Sequence, residues 1–170
     1  MDPCRIAVVG AGLIGKRHLE RIKPNRHCRC IAICDTDTGC KSIAEEFGAP
    51  FYQDYVSMLE KEAPEGVVVA TPTVEHEAVG LACAERSVPM LMEKPITATI
   101  EEGRRLTDAA KKNGIPILVG HYRRFNPFVQ RARAIVQGGE IGRLVSALFV
   151  WALLKPDDYF LTKWRTRSGQ

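Results

Sequence analysis

Short apolar runs alternate with amphipathic segments along most of the chain. The apolar runs are residues 6–9, 30–34, 67–70, 89–92 and 115–119. Each is almost continuously hydrophobic and is bounded by Gly, Pro or Asp, which is typical of strands buried on both faces of a parallel sheet. Segments with helical spacing lie between them, at residues 13–23, 40–47, 54–61, 72–87 and 100–113. The pattern therefore predicts a doubly wound α/β domain.

Polar residues and glycines mark the predicted helix ends. Thr71 before Pro72 predicts an N-cap followed by proline at the first helical position. Thr99 and Glu102 have the spacing of a capping box. Gly48 and Gly114 follow predicted helices at the position where a C-terminal glycine is favoured.

After Gly120 the pattern changes. Asn126 and Pro127 predict the start of a helix that runs to Gln137, and residues 144–154 predict one long apolar strand. No second strand follows for it to pair with, and an unpaired apolar edge invites aggregation. We expect a dinucleotide-binding domain at residues 1–122 and, at 123–170, a linker helix and the first strand of an incomplete α/β domain. The chain is then a fragment, or this strand pairs with another molecule.

The composition is typical of a soluble, globular protein. The chain has 170 residues, of which 45% are hydrophobic and 26% are charged. Its net charge of +4 suits an anionic small molecule and does not form the basic stripe that nucleic acid requires. The longest apolar stretch, residues 144–154, is too short to cross a bilayer. Too few residues precede the first strand for a secretory leader, so we expect a cytoplasmic protein.

The six cysteines predict buried thiols and no metal site. Cys28, Cys30 and Cys34 share parity along one predicted strand, so they should line one face of it as small hydrophobic residues. No C-x-x-C pair with zinc-ligand spacing occurs.

Gly10, Gly12 and Gly15 form a G-x-G-x-x-G motif between a predicted strand and a predicted helix. In that context Gly10 permits a tight turn, Gly12 lets the backbone approach a pyrophosphate, and Gly15 lets the helix pack closely on the strand. The N–H groups at the start of that helix then face the phosphates. The motif predicts a Rossmann-type dinucleotide site, against the alternative of a simple glycine turn.

Asp35 lies at the end of the second predicted strand, at the distance from the glycines that the dinucleotide-binding motif requires. Its carboxylate would accept hydrogen bonds from the adenosine ribose and would repel a 2′-phosphate, so NAD is favoured over NADP. Arg26, Arg29 and Lys41 are near enough in sequence to reach such a phosphate, which leaves NADP open.

Two further groups follow strand ends, where ligands bind in open α/β sheets. Thr71, Pro72 and His76 follow one strand, and Glu93 and Lys94 follow the next. We expect Lys94 to be catalytic, since it can donate to a substrate oxygen and stabilise developing alkoxide charge. Glu93 has two open roles, to orient Lys94 or to contact a ligand. For His76 a structural role is favoured over ligand contact.

These motifs together resemble the Gfo/Idh/MocA oxidoreductases over nearly the whole chain. The matching segments are GAGLIGKRH, Asp35, TPTVEH, EKP and GHYRRFNP. The resemblance implies an N-terminal Rossmann domain and a second α/β domain with an open, mostly antiparallel sheet. That second domain binds sugars, cyclitols or related polyols and commonly builds the interface of a homo-oligomer. The residues expected at the cofactor are Gly10, Gly12, Leu13, Ile14, Gly15, Asp35, Thr71, Pro72, His76, Glu93 and Lys94, and Lys94 is also the expected catalytic lysine.

The resemblance also implies a missing part. Family members are much longer, and their second domain supplies an Asp and a His that act with the lysine. We therefore expect an NAD(P)-dependent dehydrogenase whose N-terminal portion alone binds cofactor without turning over. The alternative is a non-catalytic NAD-binding sensor. Lys94→Ala separates the two, because a sensor has no need of this lysine.

Overall fold

The computed structural model describes residues 2–161 of the chain. The chain divides into two compact units, Met1–Gly120 and His121–Gln170. The first unit carries every predicted site residue.

The first unit is built on a six-stranded parallel sheet, as the apolar runs predict. The strands are β1 Cys4–Val9, β2 Cys28–Cys34, β3 Phe51–Tyr52, β4 Gly66–Val69, β5 Met90–Met92 and β6 Ile117–Val119. Their order is β3-β2-β1-β4-β5-β6, so the direction of winding reverses between β1 and β4. Such a reversal opens a crevice at the carboxyl ends of the strands, where doubly wound proteins bind nucleotides. Only the two-residue edge strand β3 has no counterpart in the sequence pattern.

The helices of this unit match the predicted segments to within a few residues, except at one start. They are α1 Leu13–Ile22, α2 Lys41–Glu46, α3 Tyr55–Glu62, α4 His76–Glu85 and α5 Ile100–Lys112. The capping box of Thr99 and Glu102 is confirmed. Gly48 and Gly114 adopt φ of +64° and +66°, the left-handed conformation expected after a helix.

The prediction that Thr71 caps α4 is wrong. Pro72 has ψ 146°, which is extended backbone, and the chain then makes a short 3₁₀ turn at Thr73–Glu75 before α4 begins at His76. The residue before a proline is itself biased toward extended backbone, so this segment leaves the sheet as a loop. The loop passes along the carboxyl edge of the sheet instead of entering a helix at once.

The sheet is buried on both faces by two clusters of apolar side chains. Val9, Cys34, Val69 and Met92 belong to one cluster, together with Leu106 of α5. Their strand neighbours Val8, Ile33 and Val68 belong to the other, together with Leu19 of α1. This alternation explains why the strands read as continuous apolar runs.

The prediction that three cysteines share one face of β2 is also wrong. Cys34 packs in the first cluster, whereas Cys28 and Cys30 pack against the second. The pairing of β1 with β2 shifts by one residue between Ile6 and Ala7, where the partner changes from Cys30 to Ala32. The extra residue is a β-bulge, and it reverses the parity of all later side chains on β2.

The second unit contains α6, Pro127–Gln137, with Asn126 as its N-cap. The Asn126 side chain accepts a hydrogen bond from the Phe128 N–H at 2.9 Å, as predicted for this helix start. The predicted strand at residues 144–154 is absent. A strand exists only as part of a hydrogen-bonded ladder, and the sheet that residues 2–161 form takes in no segment beyond β6. The division into residues 1–122 and 123–170 remains a prediction.

Candidate functional site

The carboxyl edge of the sheet brings the predicted site segments side by side. Gly10, Ala70 and Glu93 follow β1, β4 and β5, and each donates its backbone N–H to the last carbonyl of the neighbouring strand at 2.8, 2.8 and 2.9 Å. The ladder therefore continues one residue beyond the strands. The three loops that carry the glycines, Thr71 and Lys94 therefore all begin at this edge of the sheet.

The three glycines of the loop have different steric surroundings. Gly10 has φ +91°, and a Cβ there would lie 2.6 Å from the backbone of Ala70 and Thr71. A Cβ at Gly15 would overlap the carbonyl oxygen of Gly10. At Gly12 a Cβ would meet nothing within 4 Å. Gly10 and Gly15 thus allow the loop to close on itself, whereas Gly12 keeps open space in front of the helix N-terminus.

Asp35 is held by the main chain on both sides of its carboxylate. Oδ2 accepts a hydrogen bond from Ala11 N at 2.7 Å, and Oδ1 accepts one from Asp37 N at 2.9 Å. Each oxygen retains acceptor capacity for a further donor. Burial and the nearby carboxylates of Asp35 and Asp37 raise the pKa of the Cys40 thiol. Negative charge is therefore concentrated at the end of β2, where a 2′-phosphate would be repelled.

His76 lies between the loop that follows β4 and the loop that follows β5. Its side chain is buried, with the residue 1% exposed. Nδ1 lies 2.9 Å from the carbonyl oxygen of Pro95, and Nε2 lies 3.1 Å from the carbonyl oxygen of Thr71. Both ring nitrogens thus face backbone carbonyl oxygens, which only accept hydrogen bonds. His76 thus contacts both the Thr71 and the Pro95 segments, and its structural role stays a prediction.

Thr71 presents an unpaired hydroxyl in this region. Its Oγ1 is buried and has no hydrogen-bond partner among residues 2–161. Buried polar atoms nearly always have a partner, so this hydroxyl is an unusual feature of the carboxyl edge of the sheet.

Lys94 and Glu93 lie at the end of β5. The Lys94 side chain is exposed, while its backbone N–H lies 3.2 Å from Glu93 Oε2. The other carboxylate oxygen, Oε1, lies 2.9 Å from Nε2 of His18 on α1. His18 is not among the residues that the sequence predicts for the site. The signal for it is its place as the last residue of GAGLIGKRH, on the helix that follows the glycine loop.

Three further features are not found among residues 2–161. No cluster of three or more His, Cys, Asp or Glu side chains with metal-binding geometry occurs within residues 2–161. All six cysteines are free thiols. No helix in that part of the chain is both long and apolar enough to span a membrane.

The site residues fit a dinucleotide. The N-terminus of α1 has Gly12 as its N-cap, which offers no side chain to satisfy the first N–H groups. Free N–H groups and the positive end of the helix dipole attract phosphate. Leu13 and Ile14, in the first turn, are 60% and 39% exposed, and such apolar side chains can cover a bound ring. The open space at Gly12, the oriented Asp35 carboxylate and these side chains are compatible with a phosphate, a ribose and a ring, respectively.

Comparison with known proteins gives a consistent result. Residues 4–121 match the family profile described as "Oxidoreductase family, NAD-binding Rossmann fold". A rhizopine catabolism protein of Rhizobium meliloti is 29% identical over 94% of this chain and 51% of its own length. Inositol 2-dehydrogenase 2 of Saccharopolyspora erythraea is 33% identical over 81% of this chain and 42% of its own length. The chain thus spans about half the length of the curated relatives it matches.

Solved structures show the same fold. The WlbA dehydrogenase of Bordetella pertussis, crystallised with NADH and UDP-GlcNAcA, superposes with a TM-score of 0.80 at 26% identity. The match covers 83% of this chain and 44% of that one. The myo-inositol 2-dehydrogenase of Lactobacillus plantarum also has a TM-score of 0.80, and at 23% identity it supports the fold alone.

Proposed function

The chain belongs to the Gfo/Idh/MocA oxidoreductase family with its NAD-binding Rossmann fold, and on that basis we propose that it is the cofactor-binding part of a polyol or sugar dehydrogenase. Its cofactor is NAD. The reaction is hydride transfer between the nicotinamide and a secondary alcohol or carbonyl carbon of a sugar, cyclitol or related polyol. Relatives named inositol 2-dehydrogenase, and a dehydrogenase structure that holds a nucleotide sugar, support this substrate class.

One observation carries the proposal. The Asp35 carboxylate is tied to the glycine loop by the Ala11 N–H, on the same sheet edge from which Lys94 projects. A dinucleotide bound with its ribose at Asp35 and its pyrophosphate at Gly12 would extend across the β1–β4 reversal, toward the loops after β4 and β5. Thr71, Pro72, Leu13 and Ile14 border that path.

The chemistry assigned to this chain is electrostatic. Bound NAD supplies the hydride acceptor, or in reduced form the donor. Lys94 carries an ammonium group with three donors, and it would hold the substrate oxygen and stabilise the negative charge that develops there. Glu93 would orient the lysine by holding its backbone.

The group that exchanges the substrate proton, and the structure that excludes water, would lie in the part of the relatives that this chain does not match. We therefore propose that the 170 residues bind NAD and turn over negligibly, and that the full-length form is a cytoplasmic homo-oligomer. The segment 123–170 would then be the start of the substrate domain.

The experiment is an assay of this chain with NAD and a panel of cyclitols and sugars, beside a calorimetric measurement of NAD binding. Binding without change in absorbance at the NADH wavelength is expected. Turnover by the 170 residues would contradict the proposal that this part alone is inactive. Lys94→Ala is the control for such activity, because it should abolish genuine turnover. Absence of NAD binding would contradict the proposal itself.

A further inference from the structure

His18 connects the helix of the glycine loop to the segment that carries Lys94. It lies on α1, and its side chain and that of Glu93 are only 23% and 18% exposed. The separation of 2.9 Å between Nε2 and Oε1 is that of a strong hydrogen bond. An ionised carboxylate only accepts hydrogen bonds, so Nε2 is the donor.

The second oxygen of the same carboxylate lies against the Lys94 backbone. Oε2 lies 3.2 Å from Lys94 N, so one oxygen of Glu93 contacts α1 and the other contacts the adjacent backbone. Gly120 makes room for this arrangement, since a Cβ there would come within 3.1 Å of Oε1 and 3.3 Å of Oε2. The carboxylate is therefore confined by α1 on one side and by the residue that follows β6 on the other.

The Lys94 backbone is held at three successive residues. Glu93 N donates to the Val69 carbonyl at 2.9 Å, and the Pro95 carbonyl faces His76 Nδ1 at 2.9 Å. Between them, the Lys94 N–H depends on the Glu93 carboxylate, whose direction depends on His18. Of these three restraints, this one alone runs through side chains that are only partly buried.

We propose that His18 is a positioning residue for Lys94: by binding Glu93 Oε1 it holds Oε2 over the Lys94 N–H and so fixes the direction of the lysine at the nicotinamide end of the site. The catalytic purpose of this role rests on the proposed function, because the position of Lys94 matters only if Lys94 acts on a substrate. The geometry itself needs no cofactor and is tested without one.

The test is residue-resolved amide hydrogen exchange by NMR on the 170-residue chain, comparing wild type with His18→Ala, His18→Gln and His27→Ala. His27 is exposed and its ring contacts Arg26, so its removal is the matched control. The internal reference is the Ala98 amide, which donates to the Glu102 carboxylate at 3.0 Å, far along the chain from His18.

His18→Ala should accelerate Lys94 amide exchange by about fivefold, the factor for one net hydrogen bond, while Ala98 exchange stays within about twofold. His18→Gln keeps a donor near Glu93 and should recover most of the protection. His27→Ala should match wild type. A general loss of packing would accelerate exchange of the Ala98 amide as well, whereas the loss of a positioning contact would not.

Two results would overturn the inference: unchanged Lys94 exchange in His18→Ala, or equal acceleration in His18→Ala and His18→Gln. Because no nucleotide is present, neither result depends on NAD binding. A chain that protects Lys94 as expected but fails to bind NADH would contradict the proposed function and leave the role of His18 intact.

Discussion

The Asp35 carboxylate accepts a hydrogen bond from the Ala11 backbone N–H, with 2.7 Å between Oδ2 and N. This bond joins the end of β2 to the glycine loop after β1, so the group that would bind the ribose and the loop that would bind the pyrophosphate are held at a fixed distance. Ala11 is itself buried and cannot move away without opening the core. The fold therefore holds these two segments together in the absence of a ligand.

Asp35→Asn should reduce the preference for NADH over NADPH. The substitution keeps the size of the side chain but removes the charge that repels a 2′-phosphate, and it weakens the bonds to the ribose hydroxyls. We expect NADH affinity to fall about tenfold or more, with NADPH affinity falling less or rising. Calorimetric titration of both nucleotides checks this, with Asp108→Asn on the exposed face of α5 as control. An unchanged NADH to NADPH ratio would contradict the role of Asp35.

Gly12→Ala and Gly15→Ala should separate binding from folding. Gly12 has φ −65° and open space at its Cβ position, so alanine there should cost about 1 kcal/mol of unfolding free energy or less. NADH affinity should nevertheless fall at least about tenfold, because the methyl group occupies the approach of the pyrophosphate.

Gly15→Ala should instead lower the stability of the folded chain. Its Cβ would overlap the Gly10 carbonyl, so the variant should lose about 3 kcal/mol or more of stability. Urea unfolding of the two variants in the absence of nucleotide provides the comparison. Equal stabilities would show that the loop is not packed as described.

His76→Ala should destabilise the first unit by about 2–4 kcal/mol. The substitution leaves a cavity in a buried position and removes the ring nitrogens that the carbonyl oxygens of Thr71 and Pro95 face. His27→Ala, at an exposed position, should change stability by no more than about 0.5 kcal/mol. Urea unfolding of both variants is the measurement, and similar midpoints for the two would contradict the bridging role of His76.

The buried thiol of Cys83 should make stability fall at alkaline pH. Burial raises its pKa from 9.0 to about 12 in the folded chain. Below pH 9 the thiol is protonated in both states, whereas between about 9 and about 12 only the unfolded chain loses the proton, so unfolding becomes easier.

Cys83→Ala removes this thiol and should reduce the loss of unfolding free energy above pH 9 by about 1 kcal/mol per pH unit. Urea unfolding of wild type and variant across that range tests the difference. Parallel slopes for the two proteins would show that Cys83 is accessible to solvent in the folded chain.

Local signals in the sequence predict most of this fold. The G-x-G-x-x-G motif, the Thr99 capping box and the glycines after helices each act within a few residues, and the structure confirms the elements that they delimit. The position of Asp35 directly after β2 could also be predicted, because the spacing between the first two strands of such a unit is nearly fixed.

Two of the errors arose where the outcome depends on distant partners. The bulge in β2 follows from its pairing with β1, and no local pattern in β2 shows it. A strand at residues 144–154 needs a neighbouring strand that residues 2–161 do not offer it. The contact between His18 and Glu93 joins residues 75 positions apart, so only the folded sheet brings the two together.

The most direct test of the central claim is a calorimetric titration of this chain with NADH, run in parallel with NADPH. We predict saturable one-to-one binding of NADH and binding of NADPH weaker by about tenfold or more, because Asp35 would face the ribose with its charge. If neither nucleotide binds the folded chain, the edge of the sheet from Gly10 to Lys94 is not a dinucleotide site and the account is wrong.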